Sequence, residues 1–160
     1  MQKIVLADLT LMAHASAIIY LLNEYAKDDM GGGMPLSPFV HDNLIAELNK
    51  RHGVHVVLAF DDSIPTGLTI CLEGFSTFSC KPLLNIHDII VIKAYRGRGI
   101  AKRMLAKAEE IAINKGCCKL TLEVLEGNTV AQTAYMTCGF AGYELDPEMG
   151  KAMFWQKKLR

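Results

Sequence analysis

The stretch YRGRGIAKRML, residues 95–105, places four basic side chains and two glycines at the start of a helical pattern. It follows LNIHDIIVI (84–92), an apolar run typical of a strand in the middle of a sheet. Glycines let a ligand approach the backbone closely, and the first N–H groups of a helix lack partners within the helix. Because these groups carry the positive end of the helix dipole, the stretch predicts an anion site, above all for phosphate. A solvated turn that binds nothing is the alternative.

Two common phosphate-binding patterns do not fit this turn. The sequence GxxxxGK[ST] is absent, and a dinucleotide fingerprint would have to follow the first strand of a βαβ unit. Here the glycines follow the fourth predicted strand and lead into Ile100-Ala-Lys-Arg103. A nucleotide site of either kind is therefore not predicted.

The whole chain reads as one mixed α/β domain over residues 1–160. Apolar periodicity predicts the element order β-α-α-β-β-β-α-β-α-β-β, with Ser37 and Pro38 at the start of the second helix. The segments 139–145 (GFAGYEL) and 151–159 (KAMFWQKKL) read as two closing strands around a turn. Helices are therefore expected to pack on one sheet.

Composition excludes several classes of protein. The formal net charge is zero, which argues against a general nucleic-acid binder. No apolar run approaches the ~18 residues that a membrane span needs. The five cysteines are odd in number without C-x-x-C, and the five histidines show no ligand spacing, so no metal site is predicted. A reduced, cytoplasmic setting is expected.

Several segments, in order over about 84–142, resemble the GNAT N-acetyltransferase superfamily. Arg96-Gly-Arg-Gly-Ile-Ala101 resembles its signature R/Q-x-x-G-x-G/A, with Ala101 where glycine is commoner. Further matches follow the family's order: Asp88–Val91 before the signature, Leu122–Val124 and Asn128 after it, and Tyr135–Phe140 as Y-x-x-x-G-F. The resemblance implies a central mixed, largely antiparallel sheet of six to seven strands. About four helices would flank this sheet, which would splay between strands 4 and 5.

The same resemblance implies acetyl-CoA as cofactor and assigns residues to it. The pyrophosphate would bind the backbone amides of the turn, and the pantetheine arm would bind the exposed backbone of the preceding strand. The predicted cofactor-binding residues are Ile89, Ile90, Val91, Arg96, Gly97, Arg98, Gly99, Ile100, Ala101, Lys102, Asn128 and Tyr135.

Acetyl transfer to an amine needs a base for the ammonium proton and an acid for the leaving thiolate. Tyr135 matches the family tyrosine that donates a proton to the thiolate, although it could also be a packed helix aromatic. Asp88 shares a predicted strand face with Ile86 and Ile90, so its pKa should be high, which suits a base. A structural aspartate is the equal alternative. Glu123 is the rival base: the resemblance implies that some protein-modifying members place their base at this position, whereas in other members the glutamate only shapes the site.

The acceptor side is predicted from charge. Residues 1–42 are net acidic, and Glu24, Asp28 and Asp29 could attract a cationic amine or form an ordinary solvated surface. Gly31–Gly33 could form a mobile lid or a flexible connection. The predicted partner is a small-molecule amine acetylated by direct transfer in a ternary complex. The alternatives are acetylation of a protein N-terminus or lysine, and a non-catalytic acyl-CoA sensor. The apolar closing strand, residues 151–159, would suit a homodimer.

Overall fold

The computed structural model describes residues 1–159. The chain divides into two compact units, Met1–Leu122 and Glu123–Arg160. The first unit contains five strands and three α-helices, with short 3-10 turns at Asp29–Gly31 and Lys93–Tyr95. In chain order its strands and helices are β1 (Gln2–Leu6), α1 (Met12–Lys27), α2 (Pro38–Asn49), β2 (Val54–Asp61), β3 (Ile64–Ser76), β4 (Lys81–Val91), α3 (Ile100–Asn114) and β5 (Leu120–Leu122).

The sheet has the order β1-β2-β3-β4-β5. The first four strands pair antiparallel with their neighbours, while β5 runs parallel to β4. Among the described residues, β5 pairs only with Leu84, Asn85 and Ile86 of β4. The last part of β4, from His87 to Val91, therefore has no neighbouring strand on its β5 side in the part of the chain that the structure describes.

Helices cover both faces of this sheet. On one face, α1 and α2 pack on side chains that alternate along the strands, including Leu58, Leu68 and Ile90. On the other face, α3 packs through Met104, whose sulfur lies 3.8 Å from the Thr69 hydroxyl. The side chains of Leu68, Thr69 and Met104 are fully buried. Alternation along each strand thus supplies two core layers, as expected for a sheet covered on both sides.

A bulge in β4 sets the position of Asp88. Cys71 pairs with Ile86 and Ile70 pairs with Asp88, so His87 is an extra residue in β4. Cross-strand partners share a face, and this places Ile86 on the α3 side and Asp88 on the α1 and α2 side. The prediction that Asp88 shares a face with Ile86 is wrong, because one extra residue reverses the alternation of side chains. Asp88 and Ile90 do share a face.

The second unit contains one α-helix, α4 (Thr129–Thr137). The predicted closing strands at 139–145 and 151–159 meet only in an isolated bridge between Glu144 and Lys151. Their apolar alternation suggested strands, but a lone hairpin without a covered face is marginally stable. The side chains of Phe154 and Trp155 are correspondingly 76% and 81% exposed.

The predicted fold class is confirmed: the sheet is mixed and largely antiparallel, and four α-helices are described within residues 1–159. The predicted number of six to seven strands is wrong, since the described sheet has five. Within the described part, no helix combines the length and the apolar character that crossing a membrane requires.

Candidate active site

The turn between β4 and α3 exposes the backbone at the start of a helix. Gly97 and Gly99 have φ of 76° and 71°, in the left-handed region where glycine is strongly favoured. Gly99 is the residue before α3, and no side chain caps the helix there. The N–H groups of Ile100, Ala101 and Lys102 therefore have no acceptor within the helix, and they carry the positive end of its dipole. This arrangement can bind an anion through the backbone.

The arginine side chains around this turn bind mainly to the protein. Arg98 Nη2 donates to the Ala94 carbonyl at 3.2 Å, and its guanidinium carbon lies 4.9 Å from the centre of the Tyr95 ring. Arg103 donates to the Arg98 carbonyl and to the Gln2 side chain. These cations support the turn and add positive field, so direct contact with an anion falls first to the backbone.

The open edge of β4 lies immediately before the turn. Ile92 N donates to Thr66 O of β3 at 3.0 Å, so the backbone of Ile92 faces β3. Val91 O faces away from β3 and accepts from Arg96 Nε at 2.9 Å. By alternation, the backbone groups of Ile89 also point away from β3. Ile90 alternates the other way, with its backbone toward β3 and its side chain buried. The backbone groups of Ile89 and the N–H of Val91 can thus bind an extended ligand, whereas the Val91 carbonyl is already bonded to Arg96.

Asp88 lies on β4 in a partly buried position. Burial raises the pKa of its carboxyl, and the nearby charge of His87 opposes that rise. Tyr25, near the end of α1, is half-buried against the same core layer. Burial raises the pKa of Tyr25, and the negative charges of Asp88 and Asp28 raise it further. The structure thereby brings a candidate base and a phenol into one neighbourhood.

The three predicted acceptor carboxylates have different partners. Glu24 forms an ion pair with Lys27 at 2.9 Å on the surface of α1. Asp28 accepts from Arg96 Nη2 at 2.8 Å, and this bond holds the pKa of Asp28 below its usual range. Asp29 has no ion pair within residues 1–159. Two of the three charges are therefore already compensated by neighbouring cations.

The glycine-rich loop after α1 is hydrogen-bonded to the end of that helix. The Asp28 carbonyl accepts from Gly31 N at 2.8 Å and from Gly33 N at 3.2 Å, and Met34 N donates to Ala26 O at 3.0 Å. A Cβ atom on Gly31 would lie 1.8 Å from the Tyr25 carbonyl oxygen. Backbone hydrogen bonds therefore connect this loop to the end of α1.

The remaining predicted site residues belong to the second unit. Asn128 caps α4, since its Oδ1 accepts from Ala131 N at 3.2 Å. Tyr135 lies in the last turns of α4, and its ring meets Phe140 edge to face with centroids 6.1 Å apart. Glu123 directly follows β5 and is exposed. Asn128 thus has a structural role at its oxygen, and Tyr135 is oriented by the aromatic of its own motif.

Sequence reasoning missed three features of the first unit. They are the bulge at His87, the position of Tyr25 and the ion pair between Asp28 and Arg96. The ion pair joins residues that are 68 positions apart, and no local pattern indicates it. Among the described residues, no group of three or more His, Cys, Asp or Glu side chains could hold a metal ion.

An anion-binding helix start beside an open strand edge suits a ligand that has a phosphate group and an extended arm. The chain belongs to the acetyltransferase (GNAT) family, whose model matches residues 18–140. The predicted family is thereby confirmed, and acetyl-CoA is the cofactor of that family.

Curated relatives agree with this assignment. The chain is 32% identical over 107 residues to thialysine N-epsilon-acetyltransferase of Mus musculus and 41% identical over 107 residues to that of Sus scrofa. Each match covers 67% of this chain and 59% of the relative. The matched region thus spans less than two thirds of the length of these relatives.

Solved structures have the same fold. A probable acetyltransferase has a TM-score of 0.82 at 21% identity, covering 99% of each chain. The aminoglycoside N-acetyltransferase AAC(6')-Iy in complex with CoA has a TM-score of 0.75 at 19% identity, covering 99% of this chain and 96% of that one. At these identities the similarity shows the fold alone.

Proposed function

We propose that this chain is an N-acetyltransferase that moves an acetyl group from acetyl-CoA to the primary amine of a small molecule, by direct transfer in a ternary complex. The observation that carries the proposal is the start of α3, where two left-handed glycines open the backbone beside the free edge of β4. Relatives named for thialysine and for aminoglycosides support a small amine as acceptor. The proposal treats residues 1–160 as a single acetyltransferase domain.

The chain's own backbone would hold the cofactor. The amides from Gly97 to Lys102 suit the pyrophosphate, because a helix start favours negative charge. The outward backbone groups of Ile89 and the N–H of Val91 suit the amide-containing arm. When bound, acetyl-CoA supplies an acetyl group activated as a thioester.

The acceptor nitrogen loses two protons during the reaction, and the leaving sulfur gains one. The acceptor amine is an ammonium ion near neutral pH and must lose a proton before its nitrogen can attack. Asp88 is proposed as the base, because its partly buried carboxyl has a raised pKa that brings it closer to the working pH. Tyr135 is proposed as the acid that protonates the leaving sulfur, and the second proton of the acceptor nitrogen balances the one that Tyr135 gives up. Glu123 remains the alternative base.

Two other functions are weighed against this one. Acetylation of a protein N-terminus or lysine is favoured by one similarity: the chain is 32% identical over 83 residues to N-alpha-acetyltransferase MAK3 of Arabidopsis thaliana. A non-catalytic acyl-CoA sensor would keep the turn but would not need Tyr135. The compensated carboxylates at Glu24 and Asp28 do not by themselves distinguish these acceptors.

A homodimer and a cytoplasmic location are also proposed. The second unit exposes large apolar side chains at Met153, Phe154 and Trp155, which a second copy could cover. All five cysteines are free, which suits a reducing compartment.

Release of CoA in the presence of amines tests the proposed function. Wild type and Tyr135→Phe would be assayed by thiol detection with polyamines, amino acids, aminoglycosides and short peptides. We expect release that depends on a small amine, reduced roughly 100-fold in kcat by the substitution because a general acid is lost. Cys80 and Cys118 are exposed, so an amine-free blank is needed to subtract the protein's own thiols.

The matched control is Tyr20→Phe, the same change at a tyrosine on α1 that is 46% exposed. It should release CoA as the wild type does. Release with peptides alone would replace the small-molecule proposal by protein acetylation. Binding of acetyl-CoA without release for any amine would support the sensor instead.

A further inference from the structure

The ion pair between Asp28 and Arg96 connects the predicted acceptor region to the proposed cofactor turn. Asp28 follows α1 on the acceptor side, whereas Arg96 begins the turn that would bind the cofactor. Asp28 Oδ2 lies 2.8 Å from Arg96 Nη2. We propose that Asp28 is a positioning residue for the cofactor turn, acting through Arg96, and that it is not a ligand of the amine. This inference rests on the proposed function, in which the turn binds acetyl-CoA.

Arg96 is held at two points of its planar guanidinium. Its Nε donates to the Val91 carbonyl at 2.9 Å, and its Nη2 donates to Asp28. One side chain therefore ties the end of β4 to the loop after α1. Because the guanidinium is rigid and its donors have fixed directions, both bonds together restrain the Arg96 side chain, and the Arg96 N–H also donates to the Lys93 carbonyl at 3.3 Å. The next residue is Gly97, the first of the two left-handed glycines.

Asp28 is well placed to act as the fixed end of this connection. Its Oδ1 accepts from Met30 N at 3.1 Å, and its own N–H donates to Tyr25 O at 3.0 Å. Its carbonyl accepts from two glycine N–H groups of the loop. Both carboxylate oxygens already have a donor, so a cationic amine would have to compete with bonds that the protein makes itself.

The electrostatics lead to the same assignment. The Arg96 bond is the main reason that the pKa of Asp28 is lowered, and the charge of Lys93 adds to the effect. A carboxylate flanked by two cations attracts an ammonium ion only weakly. The pair is partly exposed, with 49% of the Arg96 side chain and 28% of the Asp28 side chain accessible, so its charges are screened at distance. Its main effect is therefore the placement of the turn.

Titration calorimetry with acetyl-CoA alone tests this inference without any amine. The proteins would be wild type, Asp28→Asn, Arg96→Gln and the double variant. We expect Asp28→Asn to weaken acetyl-CoA binding roughly fivefold, as loss of a partly exposed ion pair would. If Asp28 acts through Arg96, the double variant should bind no more weakly than Arg96→Gln. In steady-state assays, the KM for acetyl-CoA should rise while kcat changes less.

Asp29→Asn is the matched control, because it removes the same charge one residue away without an ion pair to the turn. Its affinity for acetyl-CoA should equal that of the wild type. Asp28→Glu keeps the charge and should recover part of the affinity, which a folding defect in Asp28→Asn would not explain.

The possible outcomes separate this inference from the proposed function. If the wild type binds acetyl-CoA and Asp28→Asn binds it equally well or more tightly, the positioning role is contradicted. Additive losses in the double variant would also contradict it, since Asp28 would then act independently of Arg96. If the wild type does not bind acetyl-CoA, the proposed function itself fails, and this inference fails with it.

Discussion

The two glycine-rich segments of the first unit use glycine for opposite reasons. In the turn before α3, Gly97 has a positive φ, and a Cβ atom there would meet nothing within 4 Å. In the loop after α1, Gly31 is required by packing, because a Cβ atom would lie 1.8 Å from the Tyr25 carbonyl. The turn leaves its backbone N–H groups without partners in the helix, whereas the N–H groups of Gly31 and Gly33 in the loop already donate to the Asp28 carbonyl. A glycine-rich sequence thus becomes a candidate binding site only where its backbone stays accessible.

The same substitution made in the turn and in the loop tests this difference most strongly. Gly97 and Gly33 have nearly the same φ, 76° and 75°, and open space around both. Gly97→Asp would place a negative charge at the proposed anion site, and we expect kcat/KM for acetyl-CoA to fall roughly 1000-fold, since like charges in contact cost several kcal/mol. Gly33→Asp carries the same backbone strain and should change it by less than about threefold. Equal losses in both variants would remove the distinction between turn and loop.

The next largest loss of activity is expected from a substitution of Asp88, which lies on β4, the strand that leads into the turn. Asp88→Asn should lower kcat roughly 100-fold through loss of a general base. In wild type, activity should fall as Asp88 is protonated, and its raised pKa places this fall at a higher pH than for an ordinary carboxyl. The variant should lack this part of the pH–rate profile. A profile that Asp88→Asn leaves unchanged would shift the assignment to Glu123.

The same residue has a predicted effect on stability. Burial makes the ionised form of Asp88 unfavourable in the folded state, which raises its pKa above the ordinary value of 3.8. The folded state therefore loses stability relative to the unfolded state as pH rises from 3.8 through this raised pKa. Asp88→Asn should therefore be more stable relative to wild type at pH 7 than at pH 3. Urea unfolding at both pH values would measure the difference, and the opposite order would contradict burial of the charge.

The smallest expected effect concerns the loop. Gly31→Ala must displace the loop backbone, and we expect a loss of about 1–2 kcal/mol as hydrogen bonds break, or roughly 4 °C in Tm. Gly142→Ala is the control, because a Cβ atom there would meet nothing within 4 Å and Gly142 has no positive φ. Thermal unfolding would compare the two. An unchanged Tm for Gly31→Ala would contradict the claim that packing and hydrogen bonds hold the loop against α1.

The contrast between turn and loop also explains what the sequence could predict. The turn was predictable because its glycines, its cations and the following helix are local in the chain. The α2 start was predictable for the same reason, and Ser37 Oγ indeed accepts from Val40 N at 3.3 Å. By contrast, the pairing of Asp28 with Arg96 depends on how α1 and β4 come together, which no local pattern contains.

Two other errors have the same origin. Period-two alternation placed Asp88 on the face of Ile86, but one extra residue in the bulge at His87 reverses it. Alternation also suggested two strands after residue 138, although strand formation depends on neighbouring strands more than on intrinsic preference. Within residues 139–159 as described, these two segments meet in an isolated bridge between Glu144 and Lys151. Local signals therefore predicted the conformation of the turn before α3 better than the geometry around the candidate base.

The most direct test of the central claim compares two acetyl donors by titration calorimetry. Acetyl-CoA and acetyl-pantetheine share the thioester and the arm, but only acetyl-CoA has the pyrophosphate that the turn is proposed to bind. We predict that wild type binds acetyl-CoA roughly 100-fold more tightly, as expected for a few charge-assisted hydrogen bonds, and that Gly97→Asp loses this preference. Equal affinity of wild type for the two donors would contradict the claim that Gly97–Lys102 forms the anion site.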